Sequence, residues 1–252
     1  MARWVAADGV GIEYEVTGSG PPVLLLHGFA ASGIVNWIRP GVADALESAG
    51  HTVVVYDARG HGLSDAPHEE AAYAGGAMVQ DAIGLVDHLG FDALSAVGYS
   101  MGAQVTAAWA ARDARVRRAV LGGIGSRLLL PQPGERRYPA QSIALALESA
   151  ASATLPDATG RAFRAFADAT GSDRLALAAI QRARVVSGQA DLSQLRIPVL
   201  VLVGEGDTLI GDASVLARAL PDARLQVVPG DHLSAVTSPE FAAAVVEFLA
   251  EA

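Results

Sequence analysis

Short apolar runs alternate along the chain with longer, Ala-rich stretches of helical period. The runs cover 23–26, 53–56, 94–99, 119–122, 199–203 and 225–228. They are rich in Val and Leu and apolar throughout, not apolar on alternate positions. That is the pattern of strands covered on both faces. Candidate helices lie between them near 36–49, 76–89, 101–112, 211–220 and 239–251. Strand–helix alternation predicts parallel strands joined by crossover helices. At the start, 3–7 and 11–16 flank Asp8-Gly9, which predicts an antiparallel hairpin.

The alternation breaks between Ser126 and Gln189. Here the chain is Ala/Arg-rich and of helical period, with breaks at Pro131, Pro133, Pro139, Pro156 and Gly171. Helices are expected near 140–150, 159–169 and 173–183. The sheet pattern resumes at Ile197-Pro198. The expected organisation is a core of 1–125 and 190–252, with 126–189 inserted as a small helical cap.

The run at 94–99 leads directly into Gly98-Tyr99-Ser100-Met101-Gly102, and a helical stretch follows. Gly-x-Ser-x-Gly between a strand and a helix is the context of a nucleophile elbow. The reason is steric. A serine in a strained turn needs small neighbours two positions away on each side, so that strand and helix can approach. The helix that starts beside it offers free N–H groups and the positive end of its dipole.

A serine hydroxyl needs a base, and the base needs an orienting carboxylate. Elbows of this kind carry the three in the order serine, acid, histidine. Of His27, His51, His61, His68, His88 and His232, only His232 follows Ser100. It sits just after the run 225–228, at the end of a strand. For the acid, Asp207 closes Gly204-Glu205-Gly206-Asp207 at the exit of the run 199–203. Glu205 and Asp212 are its local rivals, and Asp231 is too near His232 in sequence to reach the ring easily. A helix N-cap is the structural alternative for Asp207. The oxyanion donors are expected to be the N–H of Met101 and, from the early loop His27-Gly28-Phe29, the N–H of Phe29. The Phe29 and Met101 side chains are expected to border the acyl pocket. His27 precedes Ser100 and is read as a structural hydrogen-bonding residue. The stretch 57–64, Asp-Ala-Arg-Gly-His-Gly-Leu-Ser, is read as a supporting loop. His61, His68 and nearby carboxylates match no zinc spacing.

Composition narrows the field. The net charge of −9 leaves nothing to neutralise a run of phosphates, so nucleic acid is not an expected partner. The absence of cysteine excludes a disulfide framework, a thiolate nucleophile and a Cys-ligated metal. The first residues lack the apolar centre of a signal peptide, and no run is long enough to span a bilayer. A cytoplasmic protein that binds a small-molecule substrate, touches no membrane and is a monomer or homodimer is expected, with no cofactor and no metal.

Five pieces together carry a resemblance: His27-Gly28-Phe29, the stretch 57–64, Gly98-Tyr99-Ser100-Met101-Gly102, Gly204-Glu205-Gly206-Asp207 and Asp231-His232. With the final Ser238-Pro239-Glu240-Phe241, the chain resembles the α/β-hydrolase superfamily along nearly its whole length. The resemblance implies an α/β fold with a mostly parallel eight-stranded sheet flanked by helices. It also implies a catalytic triad of Ser100, His232 and Asp207, with water resolving an acyl-enzyme. Epoxide hydrolases and haloalkane dehalogenases of this fold use an aspartate at the elbow, and this chain has Ser100. Where the family usually has Gly-x-Gly-His, this chain has Gly230-Asp231-His232, with an acid beside the base. Gly28, Trp37, Tyr99, Leu209 and Leu233 are the expected substrate-binding residues. The expected activity is hydrolysis of a carboxylic ester with a small or medium acyl group. Cleavage of C–C bonds, lactones or thioesters, perhydrolysis, and a receptor-like binding role are the alternatives. The arginines 161, 164, 174, 182 and 184 could meet a carboxylate substrate or simply solvate helix faces, and Leu145, Leu147, Phe163 and Phe166 could line an apolar lid.

Overall fold

The computed structural model describes residues 1–129, 139–150, 158–183 and 192–251. The expected breaks at Pro131, Pro133 and Pro156, together with Arg184 and the boundary near 189, lie outside the described residues.

Eight strands form one sheet in the order β1-β2-β4-β3-β5-β6-β7-β8. They are β1 (Ala2–Val5), β2 (Gly11–Gly18), β3 (Pro22–Leu26), β4 (Thr52–Tyr56), β5 (Leu94–Tyr99), β6 (Val116–Gly122), β7 (Val199–Gly204) and β8 (Ala223–Val228). Pairings of β1 with β2 and of β2 with β4 are antiparallel, and every pairing from β4 to β8 is parallel. Parallel pairing puts the carboxyl ends of β3, β5, β7 and β8 at one edge, where binding sites of such sheets are built.

The helices are α1 (Val42–Ser48), α2 (Ala77–Leu89), α3 (Met101–Ala110), α4 (Ser126–Leu129), α5 (Ala140–Glu148), α6 (Ala158–Thr170), α7 (Arg174–Ala183), α8 (Ala213–Ala219) and α9 (Pro239–Ala250). Successive strand residues point to opposite faces, so each buried strand feeds two cores. Leu24 and Leu26 join α2 and α3 on one face, while Val23 and Leu25 join α1 and α9 on the other. That double cover accounts for the continuous apolar runs. The edge strand β8 is the exception, with Leu225 and Val227 exposed.

One expected helix is two. The stretch near 36–49 splits into a π-helical turn at Ile34–Ile38 and α1, separated by Gly41 at φ +80°. Of the helices expected within 126–189, α5, α6 and α7 start and end within two residues of expectation and pack on one another.

Candidate active site

Ser100 occupies the turn between β5 and α3. Its backbone sits at φ 52°, ψ −109°, a region that side chains other than glycine rarely adopt. The surroundings hold that strain in place. A Cβ on Gly102 would lie 2.0 Å from the Leu26 carbonyl, so only glycine lets α3 pack this close to β3.

The other two side chains arrive from neighbouring strand ends. The loops after β7 and β8 are stitched together by backbone hydrogen bonds, Glu205 N–H to Val228 O and Gly206 N–H to Gly230 O. Gly230, at φ 109°, supplies the turn that follows β8. Asp207, whose side chain is fully buried, accepts the Leu209 N–H on Oδ1 at 3.0 Å and faces His232 Nδ1 with Oδ2 at 2.7 Å. A carboxylate only accepts, so Nδ1 carries the proton and Nε2 presents its lone pair. Nε2 lies 2.9 Å from Ser100 Oγ. The three residues therefore form one continuous hydrogen-bonded line, an array that can draw the proton from a serine hydroxyl.

The rival carboxylates are occupied elsewhere. Asp212 is the N-cap of α8, accepting from Ser214 N–H, so the capping role considered for Asp207 falls to it instead. Glu205 is exposed. Asp231 turns back into its own loop, where hydrogen bonds from Ser234 and Leu233 hold its carboxyl below the usual range.

A cavity of about 60 Å³ opens beside Ser100 and His232. Gly28, Phe29, Tyr99 and Leu233 line it, with Val35, Phe163, Phe166 and Val236 making the wall mostly apolar. Gly28 leaves room, since a Cβ there would project to 3.5 Å from the Ser100 Cβ. Tyr99 does a second job: its hydroxyl donates to the His232 carbonyl at 2.7 Å, bracing the loop that carries the imidazole. Met101 is the first residue of α3, so its N–H has no acceptor within the helix. The Phe29 N–H has no backbone acceptor among the described residues.

Three expected pocket contacts lie elsewhere. Trp37 is fully buried among Val23, Leu25 and Val55 on the far face of the sheet, because the π-helical turn directs Asn36, not Trp37, to the cavity. Leu209 packs at the margin of the main core and contributes its N–H to Asp207 rather than a wall to the cavity. The Met101 side chain is buried in that same core. Nor do arginines 161, 164, 174 and 182 line the cavity. Arg164 is buried, donating to the carbonyls of Ala146 and Ser149 and to Asp168, and Arg182 is paired with Glu148. Leu145 is exposed and Leu147 is core, whereas Phe163 and Phe166 reach the cavity.

Asn36 escaped the sequence reading. It is buried, lines the cavity, and its Oδ1 accepts the Gly28 N–H at 2.7 Å. The signal was a single polar residue in an apolar stretch, Ile34-Val35-Asn36-Trp37-Ile38.

Behind the site, His27 donates from Nδ1 to Gly28 O at 2.8 Å and accepts the Ala58 N–H on Nε2 at 2.9 Å. Burial lowers its pKa, and that of His61 falls to about 3 for the same reason. Both are neutral structural groups. Asp57 accepts the Gly33 and Leu63 N–H groups, which makes 57–64 a hydrogen-bonded support. Among the described residues, no group of three or more His, Cys, Asp or Glu could hold a metal ion. No helix among them is long and apolar enough to cross a membrane.

A parallel sheet with helices on both faces, and a serine on the strand–helix turn facing histidine and aspartate from later strand ends, define an α/β-hydrolase-fold protein. The family model described as alpha/beta hydrolase fold matches residues 21–137. Epoxide hydrolase 2 of Siraitia grosvenorii is 35% identical over 105 residues, which is 42% of this chain and 32% of that protein. The chain thus spans about a third of that relative. A non-heme haloperoxidase of Rhodococcus erythropolis is 27% identical over 89% of this chain and 90% of its own length. The structure of a thermophilic esterase from Thermogutta terrifontis superimposes with a TM-score of 0.76 at 25% identity, covering 99% of this chain and 98% of that one. Together with the sheet order and the strand–helix turn at Ser100, these likenesses show that the chain has the α/β-hydrolase fold.

Proposed function

We propose that the protein is a serine hydrolase that cleaves carboxylic esters with a small acyl group. The observation that carries the reading is the unbroken Ser100–His232–Asp207 hydrogen-bond line at the wall of an apolar cavity. In this reading Ser100 Oγ attacks the ester carbonyl while His232 Nε2 takes its proton. Asp207 keeps the imidazole in the Nδ1–H tautomer and stabilises the imidazolium. The N–H groups of Phe29 and Met101 hold the developing oxyanion. Collapse of the tetrahedral intermediate expels the alcohol, which takes the proton back from His232. Water, deprotonated by the same imidazole, then releases the acid. The helices of 126–189 act as a lid, supplying Phe163 and Phe166 to the acyl side.

Size supports a short acyl group. A cavity of about 60 Å³ has room for only a few water-sized occupants. Among the described residues no arginine lines it, which favours a neutral acyl chain over an anionic one.

Perhydrolysis is a second reading, favoured by the haloperoxidase likeness along 89% of the chain. Hydrogen peroxide would replace water at the acyl-enzyme and release a peracid. Epoxide opening is disfavoured, because the elbow holds Ser100 where that chemistry uses an aspartate.

The test is labelling with a fluorophosphonate, followed by a panel of para-nitrophenyl esters of increasing acyl length, with lactones alongside. Wild type should label and turn over short esters, and Ser100→Ala should do neither. A Ser100→Ala variant that still labels would overturn the assignment. Peracid formation with added peroxide separates the second reading from the first.

A further inference from the structure

We propose that Asn36 selects substrates whose acyl chain carries an oxygen acceptor, a keto or ether oxygen, by donating to it from Nδ2. The proposal rests on the ester-hydrolase reading above and names the substrate class within it.

The orientation of the amide is fixed by chemistry. A backbone N–H can only donate, so the atom 2.7 Å from the Gly28 nitrogen must be the oxygen of the Asn36 side chain. With Oδ1 turned to the loop, Nδ2 and its two hydrogens are left for the cavity that Asn36 lines. The residue is only 6% exposed, and no acceptor among the described residues meets Nδ2, which is not one of the side-chain atoms buried without a partner and so opens to the cavity. An occupant that shuts water out of the cavity must pair with it or leave a donor unsatisfied, which is costly.

The remaining polar side chains at the wall are already committed. Ser100 and His232 face each other, the Tyr99 hydroxyl donates to His232 O, and Thr237 Oγ1 donates to Ser234 O at 2.7 Å. Among the described residues Asn36 is thus the one side chain there with donors to spare. It also sits close to the chemistry: Gly28 faces Asn36 Oδ1 and the Ser100 Cβ at nearly equal distance, 3.4 and 3.5 Å from where its own Cβ would stand. An acyl chain that leaves the scissile carbonyl therefore passes the amide within a few atoms. A wholly alkyl chain leaves the N–H groups dry and unpaired, and an oxygen in that chain satisfies one of them. A site built to pair with a substrate oxygen discriminates against the analogue that lacks it.

The experiment compares para-nitrophenyl pentanoate with its oxygenated analogues, β-methoxypropanoate and levulinate. Each kcat/KM is divided by the alkaline hydrolysis rate of the same ester, which removes intrinsic reactivity. Wild type should favour an oxygenated ester over pentanoate by about tenfold, the worth of one buried hydrogen bond at the upper end of its range. Asn36→Asp keeps an acceptor for the Gly28 N–H and deletes the donor, so the ratio should fall to one or below whatever happens to the absolute rates. Equal wild-type rates, or a preference that survives in Asn36→Asp, would overturn the proposal. Should that variant not fold, the wild-type ratio decides alone. Fluorophosphonate labelling of the same samples keeps the two readings apart. A protein that labels and hydrolyses pentanoate but shows no preference refutes only the role of Asn36.

Discussion

Asp207 shows how much one side chain's surroundings decide. It is fully buried, one oxygen is held by the Leu209 N–H, and the other has only the His232 ring to face. Replacing it with asparagine keeps the shape. The amide can, however, donate to Nδ1, which would move the imidazole proton to Nε2 and leave no lone pair for Ser100. Asp207→Asn should therefore lower kcat by about 10³–10⁴-fold with KM changed far less, as steady-state kinetics on a short ester would measure. A loss confined to KM would mean that Asp207 does not orient the base. Ser100 and His232 were legible in the sequence because a motif and chain order leave few options. Asp207 was legible because it stands at a strand exit. Asn36 was not, because its contact with Gly28 depends on a π-helical turn where sequence periodicity suggests one ordinary helix. Trp37 was misplaced for the same reason: a shift of one residue around that turn exchanges cavity for core.

At the scale of elements, the parallel sheet was readable because strands covered on both faces must be apolar throughout. The relation of α6 to the loop after β3 was not, since it joins residues about 140 positions apart through side-chain hydroxyls. The carbonyl of Ala30, a buried residue at φ 58°, lies 3.1 Å from Thr170 Oγ1, whose single proton it shares with the carbonyls of Phe166 and Ala167, and 3.4 Å from Ser172 Oγ, which lies 2.8 Å from the threonine hydroxyl. No backbone N–H reaches Ala30 O among the described residues. Near its middle the same helix presses Phe163 edge-on against Phe29, with ring centroids 5.6 Å apart. The end of α6 thus grips the residue next to Phe29, whose N–H is assigned to the oxyanion. Thr170→Val combined with Ser172→Ala removes both hydroxyls at little change in volume. The expected outcome is a fall of about tenfold in kcat, KM moving less, and recovery with Thr170→Ser in place of valine. A drop in thermal stability with kcat unchanged would make the contact structural only.

Across the whole molecule, the loops that build the site are tied to the fold through two buried neutral histidines. His27 and His61 lie with ring centroids 4.9 Å apart beneath Phe29, and burial lowers the pKa of each, that of His61 to about 3. A group whose pKa is lower in the folded state binds its proton first in the unfolded chain, so stability falls as pH drops below the unfolded value of about 6.5. For His61 the window runs from there down to about 3. From about pH 8 to pH 5 it should contribute about 2 kcal/mol of lost stability, at about 1.4 kcal/mol per pH unit once below the unfolded value. His27 adds a loss of the same sign. Its protonation would also break the bond from Ala58 N–H to Nε2, while the Nδ1–H bond to the Gly28 carbonyl would persist. Acid should therefore weaken the tie between the loops after β3 and β4 together with the fold. Denaturant unfolding at a series of pH values measures the slope, and His61→Asn tests its source. Asparagine can still donate to the Arg59 carbonyl, as His61 Nδ1 does at 3.1 Å, but has nothing to titrate. The variant should lose markedly less stability over the same interval, and an unchanged slope would place the acid sensitivity elsewhere in the protein.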